Sequence, residues 1–236
     1  PVGLRDQFLE AEEKELSAIQ ERGVIEGVVP KVSGMKPINS RFVYSWKDAV
    51  AQEGEHQGES TEKPPRLAKA RLVMKDFKNR VDDFRETYAP TGRAVTFRLL
   101  MLMSVLLLMQ CDHIDVNTAF LYADLSSPLF INPPLGFPIR QGYCWKVIKA
   151  LYGCRTAPRE WYKVLKLFVL SLGFIATVLD PCLFIYGHGL SFCMVYFYVD
   201  DISLFTKYGS EQGVYLKEKF FARFKCKDLG RAKRFL

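Results

Sequence analysis

The chain has 236 residues, 49% hydrophobic and 25% charged, with a net charge of +7. That is enough chain for one good core or two small ones, and the composition excludes wholesale disorder. The basic balance points mildly toward a polyanionic partner, with a merely basic soluble protein as the plain alternative.

The six cysteines, Cys111, Cys144, Cys154, Cys182, Cys193 and Cys226, form no C-x-x-C pair, and the three histidines are scattered. Neither a zinc framework nor a secreted disulfide scaffold is indicated, so reduced thiols in an intracellular protein are expected. The most apolar run, Leu99 to Met109, falls short of the roughly 20 apolar residues of a membrane-spanning helix. It reads as a buried core helix, and no membrane association is expected. The chain opens on Pro1 without a signal-peptide pattern, which suggests a fragment or a processed product.

In chain order, Gln7 to Arg22 has the pattern of an amphipathic helix, stopped at Gly23. Arg41 to Lys47 reads as a strand, rich in β-branched and aromatic residues. The polar stretch 52–65, with glutamates, glycine and two prolines, reads as a solvated, mobile loop. A second strand at Ala68 to Lys75 would complete a hairpin around it. Further on, Thr96 to Met109 predicts a helix, Asp112 to Leu121 a strand running into a turn, and Ala157 to Leu172 a helix ended at Gly173. Leu183 to Tyr186 reads as a short strand and Tyr215 to Phe224 as a last helix. Between these two, Leu190 to Phe205 is a β-prone apolar run interrupted by Asp200 and Asp201. The order after Thr96 suggests helices packed on one face of an antiparallel sheet, an α+β layer.

Adjacent aspartates at the tip of an apolar hairpin place negative charge close to a buried sheet, which is costly unless a cation neutralises it. A divalent metal does this, although Asp is also common in ordinary turns. Asp115 supplies a third carboxylate at the end of another short β-prone run. Two strands each offering an acid can build a clamp for two metals, which suits phosphoryl or nucleotidyl transfer.

Three blocks resemble the reverse transcriptase of copia-type retrotransposons. Asp115-Val-Asn-Thr-Ala-Phe-Leu121, followed by Pro134-Leu-Gly-Phe137, is similar to that family's Asp-Val-x-Thr-Ala-Phe-Leu and Pro-x-Gly-Phe. Lys149-Ala-Leu-Tyr-Gly-Cys-Arg-Thr-Ala-Pro-Arg-Glu-Trp-Tyr162 resembles Lys-x-Leu-Tyr-Gly-Leu-Lys-Gln-Ala-Pro-Arg-x-Trp-Tyr. Tyr198-Val-Asp-Asp201 resembles the polymerase's two-aspartate turn. Lys69-Ala-Arg-Leu-Val73, Glu86-Thr-Tyr-Ala-Pro90 and Asp228-Leu-Gly230 fit in the expected order, so the resemblance spans nearly the whole chain.

The resemblance implies an α+β right-hand polymerase. Residues 1–96 would form a fingers-like region and residues 97–236 a palm-like catalytic region, with about 125–160 interleaving as fingers. The palm would carry a ferredoxin-like antiparallel sheet, and the thumb would be truncated. Asp115 and Asp200 would ligate two Mg²⁺ ions, with Mn²⁺ as an alternative; Asp201 would be secondary and the backbone carbonyl of Val116 would help. Lys69 and Arg71 would neutralise the incoming triphosphate, Arg71 through its planar fork. Gly153 would let the backbone approach the nucleotide or template. Phe120, beside the small Ala119, would lie under the deoxyribose and block a 2′-hydroxyl. Arg155, Arg159 and Tyr198 would contact template or primer, while Trp161 reads as core.

The implied partners are an RNA or DNA template, a DNA primer, deoxynucleoside triphosphates and the rest of a retrotransposon polyprotein. The implied location is cytoplasmic, in a virus-like particle. Departures from the family pattern fall at Met74-Lys75-Asp76, Tyr122-Ala123, Ser126-Ser127 and Arg155-Thr156. They spare the metal ligands but leave a catalytically silent, truncated remnant as the alternative. An RNA-templated RNA polymerase is a further one, disfavoured by Phe120.

Overall fold

A computed structural model describes residues 3–48, 66–76 and 87–232. In chain order the elements are α1 (Leu4–Glu21), β1 (Ile25–Pro30), β2 (Ile38–Asp48), β3 (Arg66–Met74), α2 (Ala94–Leu106), β4 (Met109–Val116), β5 (Asp124–Asn132), β6 (Tyr143–Lys149), α3 (Ala157–Ser171), β7 (Ile175–Ala176), β8 (Leu183–Tyr186), β9 (Cys193–Tyr198), β10 (Asp201–Lys207), α4 (Gln212–Arg223) and β11 (Cys226–Arg231). Short 3-10 turns lie at Ala119–Tyr122 and Gly189–Ser191. The chain divides into two compact units, Pro1–Phe84 with Asp124–Ala157, and Arg85–Ala123 with Pro158–Leu236. The polar stretch 52–65 lies outside the described residues.

The first unit is a five-stranded mixed sheet in the order β1-β6-β5-β2-β3. The expected hairpin is present: β2 and β3 pair antiparallel from Ser40↔Met74 to Asp48↔Arg66. Helix α1 buries Ala11, Glu15 and Ile19, spaced four apart on one face. Glu15 is buried because its carboxylate accepts the Leu72 N–H at 3.1 Å on the open edge of β3. An edge strand needs such a cover for its unpaired backbone groups. Burial pushes the Glu15 carboxyl above its ordinary range, against the pull of that hydrogen bond and of Arg71 and Lys69.

The second unit is a six-stranded antiparallel sheet in the order β11-β4-β10-β9-β8-β7. Its helices do not all share one face, contrary to the sequence expectation. Phe97 and Leu100 of α2 pack with Met109, Cys111, Phe205, Tyr196 and Met194. On the opposite face, Gly213 of α4 lies against Thr206 and Gln110, and Lys217 of α4 bonds Asp112 at 3.1 Å. The reason is that β4 is buried on both faces, so alternate residues serve different helices. Helix α3 buries Ala157, Trp161, Leu165 and Val169, again spaced four apart. Its Phe168 meets Phe220 and Phe224 edge to face.

All six cysteines are free. Burial pushes the Cys182 and Cys193 thiols up to about 12, so these are packing residues rather than nucleophiles.

Gly153 is held at φ +78°, and a Cβ placed there would lie 2.1 Å from the Met74 carbonyl oxygen. The backbone here closes on β3, with Met74 N–H donating to Tyr152 O at 2.8 Å. The close approach that Gly153 permits in its own unit is therefore to β3. Gly153→Ala is expected to destabilise the protein by about 2 kcal/mol or more, combining left-handed strain with a backbone clash. Chemical denaturation of the two forms checks this; equal midpoints and slopes would contradict it.

Candidate active site

Strands β4 and β10 pair in strict antiparallel register over seven residues, ending with Asp201 opposite Asp115. Residues directly opposite in such a pair share a face, with Cα atoms about 4.5–5.5 Å apart. On the other side of β10, Asp201 faces Tyr198; on the other side of β4, Asp115 faces Lys227. One row across the sheet is thus Lys227, Asp115, Asp201, Tyr198. Sequence reasoning did not single out Lys227, because β11 reads as a polar segment without a strand pattern.

Val199 and Asp200 form a two-residue loop between the paired Tyr198 and Asp201. Val199 sits at φ +59°, where glycine is usual in such hairpins. A left-handed β-branched residue costs about 1–2 kcal/mol. Two hydrogen bonds over-determine the turn: Trp161 Nε1–H donates to Val199 O at 2.7 Å, and Val116 N–H donates to Asp200 O at 3.1 Å. Trp161 is core, as expected, and it also fixes the loop that presents Asp200.

The three carboxylates feel one another. The Asp201 carboxyl is pushed up to about 6, first by burial and then by the charges of Asp200 and Asp115. Asp112, on the opposite face of β4, is treated differently, since Lys217 and Gln110 bond it at 3.1 and 3.2 Å. Among the described residues no group of three or more His, Cys, Asp or Glu is arranged as a metal site. The donor chemistry nonetheless fits a hard divalent ion: carboxylates and backbone carbonyls supply oxygen, and Mg²⁺ takes only one or two carboxylates, completing its shell with phosphates and water.

Beyond Asp115 the chain turns at Thr118, φ +51°. Ala119 and Leu121 are buried while Phe120 is only half-buried. The Tyr122 ring packs against Trp161 and, edge to face, Phe224.

In the first unit, Arg71 lies over the Tyr152 ring at 5.4 Å, and its Nε is buried without a hydrogen-bond partner. Lys69 lines a groove of about 460 Å³ with Lys14, Lys47 and Arg66, beside Glu10. The three added cations went unnoticed in sequence because they come from separate elements. Arg155 donates its backbone N–H to the buried Asp76 at 3.2 Å. In the second unit, Arg159 pairs with Glu160 at 3.1 Å, and Tyr198 is exposed.

The sequence model of the reverse transcriptase (RNA-dependent DNA polymerase) family matches residues 25–236, and the chain belongs to that family. It is a copia-type reverse-transcriptase-like domain. It is 30% identical over 98% of its length to the retrovirus-related Pol polyprotein from transposon TNT 1-94 of Nicotiana tabacum. Over 57% of its length it is 37% and 35% identical to the polyproteins from transposons RE1 and RE2 of Arabidopsis thaliana. The chain spans 17% of the tobacco polyprotein and 9% of each Arabidopsis one. Among the described residues no helix is long and apolar enough to cross a membrane.

The raised Asp201 carboxyl sets a pH dependence. Its folded pKa lies above the unfolded value, so the folded state holds the proton more tightly. The stability this brings is present below about pH 4 and lost as pH rises through about 6. In metal-free buffer Asp201→Asn should raise the melting temperature at pH 7.5 and narrow the gap at pH 4. A gap that is equal at both pH values would contradict the burial-and-repulsion account.

Proposed function

We propose that the chain is the fingers and palm of an RNA-directed DNA polymerase. It would extend a DNA primer on an RNA or DNA template by two-metal nucleotidyl transfer. The observation that carries this is the row placing Asp115 opposite Asp201, beside a turn that presents Asp200. Family membership and the similarity to Pol polyproteins support the same reading.

The first unit answers to fingers and the second to palm, so that residues 124–157 return to the fingers. The sheet order β11-β4-β10-β9, with β4 joined to β9 through β5, β6, α3, β7 and β8 and α4 joining β10 to β11, supports a ferredoxin-like βαββαβ plan carrying an insertion. Helix α2 is an addition on its other face.

Asp115, Asp200 and the Val116 carbonyl would hold two Mg²⁺ ions, with Mn²⁺ as a substitute, and Asp201 would assist. Bound there, the ions would activate the primer 3′-hydroxyl and steady the leaving pyrophosphate. The chain's own part is positional and electrostatic. Arg71, with a buried unpartnered Nε, would grip the triphosphate, and Lys69 would add a point charge. Phe120, half-buried beside buried Ala119, would offer a ring face under the sugar. Tyr198, Arg155 and Arg159 would contact primer or template, and Gly153 would keep the Arg155 loop close to β3.

The direct test is primer extension on an RNA template by the purified chain with Mg²⁺. Asp200→Asn should lower extension by about 10³-fold, roughly 4 kcal/mol of barrier, with primer–template binding largely retained. Unchanged extension would reject the ligand assignment. A wild-type chain that binds primer–template and Mg²⁺ but never extends would instead favour the silent remnant.

Sugar choice is a separate expectation. Phe120→Val should shift the ratio of kcat/KM for ribonucleotides over deoxynucleotides upward by about tenfold or more, since steric exclusion of one hydroxyl discriminates strongly. A ratio that stays fixed while the fold is intact would return Phe120 to the packing residues.

A further inference from the structure

Helix α2 buries Phe97, Leu100 and Ser104 against the sheet. Its opposite side carries Val95, Leu99, Leu102 and Leu106, exposed by 74%, 53%, 58% and 72%. These positions step by four, three and four residues, the spacing of a helix-pairing seam. Four large apolar residues aligned in this way are not the scattered exposure common on protein surfaces. At the C-terminal end of α2 lies an apolar groove of about 650 Å³, lined among others by Val105, Leu107, Leu108, Leu190 and Tyr208. Among the described residues lining it, the one nitrogen cation, Lys207, is turned to the Leu107 carbonyl at 2.6 Å.

We propose that this face is the contact between two copies of the chain, paired through antiparallel α2 helices. A four-three-four stripe reads the same in both directions, so a two-fold rotation lays it on itself. Val95 of each copy meets Leu106 of the other, and Leu99 meets Leu102. A self-complementary patch is what an isologous dimer requires.

Charge agrees with this. Helix α2 has no acidic residue in its first turn and no basic residue in its last, and Arg98 is the one charge along it. In the antiparallel pairing Arg98 comes level with Met103 of the second copy, not with its own counterpart. Each helix also sets its positive N-terminal end beside the other's negative C-terminal end. The stripe runs about 17 Å along the helix and, even with the groove, is smaller than the roughly 800 Å² per partner of a standard interface. The dimer is therefore expected to be weak and concentration-dependent.

Sedimentation equilibrium of the purified chain over about 5–200 µM, a range set by that small interface, tests the proposal. Wild type should move from monomer toward dimer. Leu99→Glu and Leu102→Arg should each remain monomeric, because each homodimer would bury a charge against leucine. Both positions are exposed and both replacements are good helix formers, so melting curves should not change. An equimolar mixture of the two variants should recover the dimer, since Glu from one copy then meets Arg from the other and Leu meets Leu. The reciprocal pair, Leu99→Arg with Leu102→Glu, should behave in the same way. A wild type that stays monomeric throughout would overturn the proposal. So would single variants that still dimerise, or mixtures of both pairs that stay monomeric.

Discussion

Like charges held directly opposite across an antiparallel strand pair repel, and strand pairing gives them no room to separate. In the second unit the register of β4 on β10 sets Asp115 against Asp201, and the hairpin loop adds Asp200. The unit accepts this cost at one end of its sheet while neutralising Asp112 on the opposite face with Lys217. The contrast locates the unusual chemistry. Under the proposed function, a carboxylate pushed up to about 6 by burial and its neighbours would serve a ligand rather than stability. Perturbed acids of this kind cluster at functional sites.

Holding that row in place takes a good part of the unit's core. Trp161, buried on α3, bonds the strained Val199. Tyr122 and Phe224 pack against Trp161, and Phe168 and Phe220 extend the cluster. Tyr122 is one of the departures from the family pattern, and its place in this cluster is a structural reason for the change. Asp76, another departure, is buried and accepts the Arg155 N–H. Thr156 contacts the Cys154 sulfur at 3.3 Å. Tyr122, Asp76 and Thr156 thus each have a partner in the fold.

Elements with a clear period were legible in the sequence. The four long helices and the strands around Arg41, Ala70 and Val195 follow from apolar spacing and β-branched content. The strands β1, β5 and β11 were not legible, since Gly27, Pro128 and Gly230 interrupt them and their partners are distant in sequence. The placing of helices on both faces was missed for a related reason. A strand buried on both sides, such as β4, shows no alternation that assigns a helix to either face. Asp115, Asp200 and Asp201 stood out because charge at the end of an apolar run is physically odd. Lys227 and the cations beside Lys69 did not, since only the folded chain brings them to a row or a groove.

Asp115 and Asp201, with Asp200 in the adjoining turn, are proposed as a divalent-metal site. Titration of the purified chain with Mn²⁺, followed by electron paramagnetic resonance of the free ion, measures it most directly. Saturable binding is expected, abolished by Asp115→Asn and by Asp200→Asn and left intact by Asp228→Asn, at a carboxylate already paired with Lys217. Equal Mn²⁺ uptake by all four forms, or uptake lost only with Asp228, would contradict it.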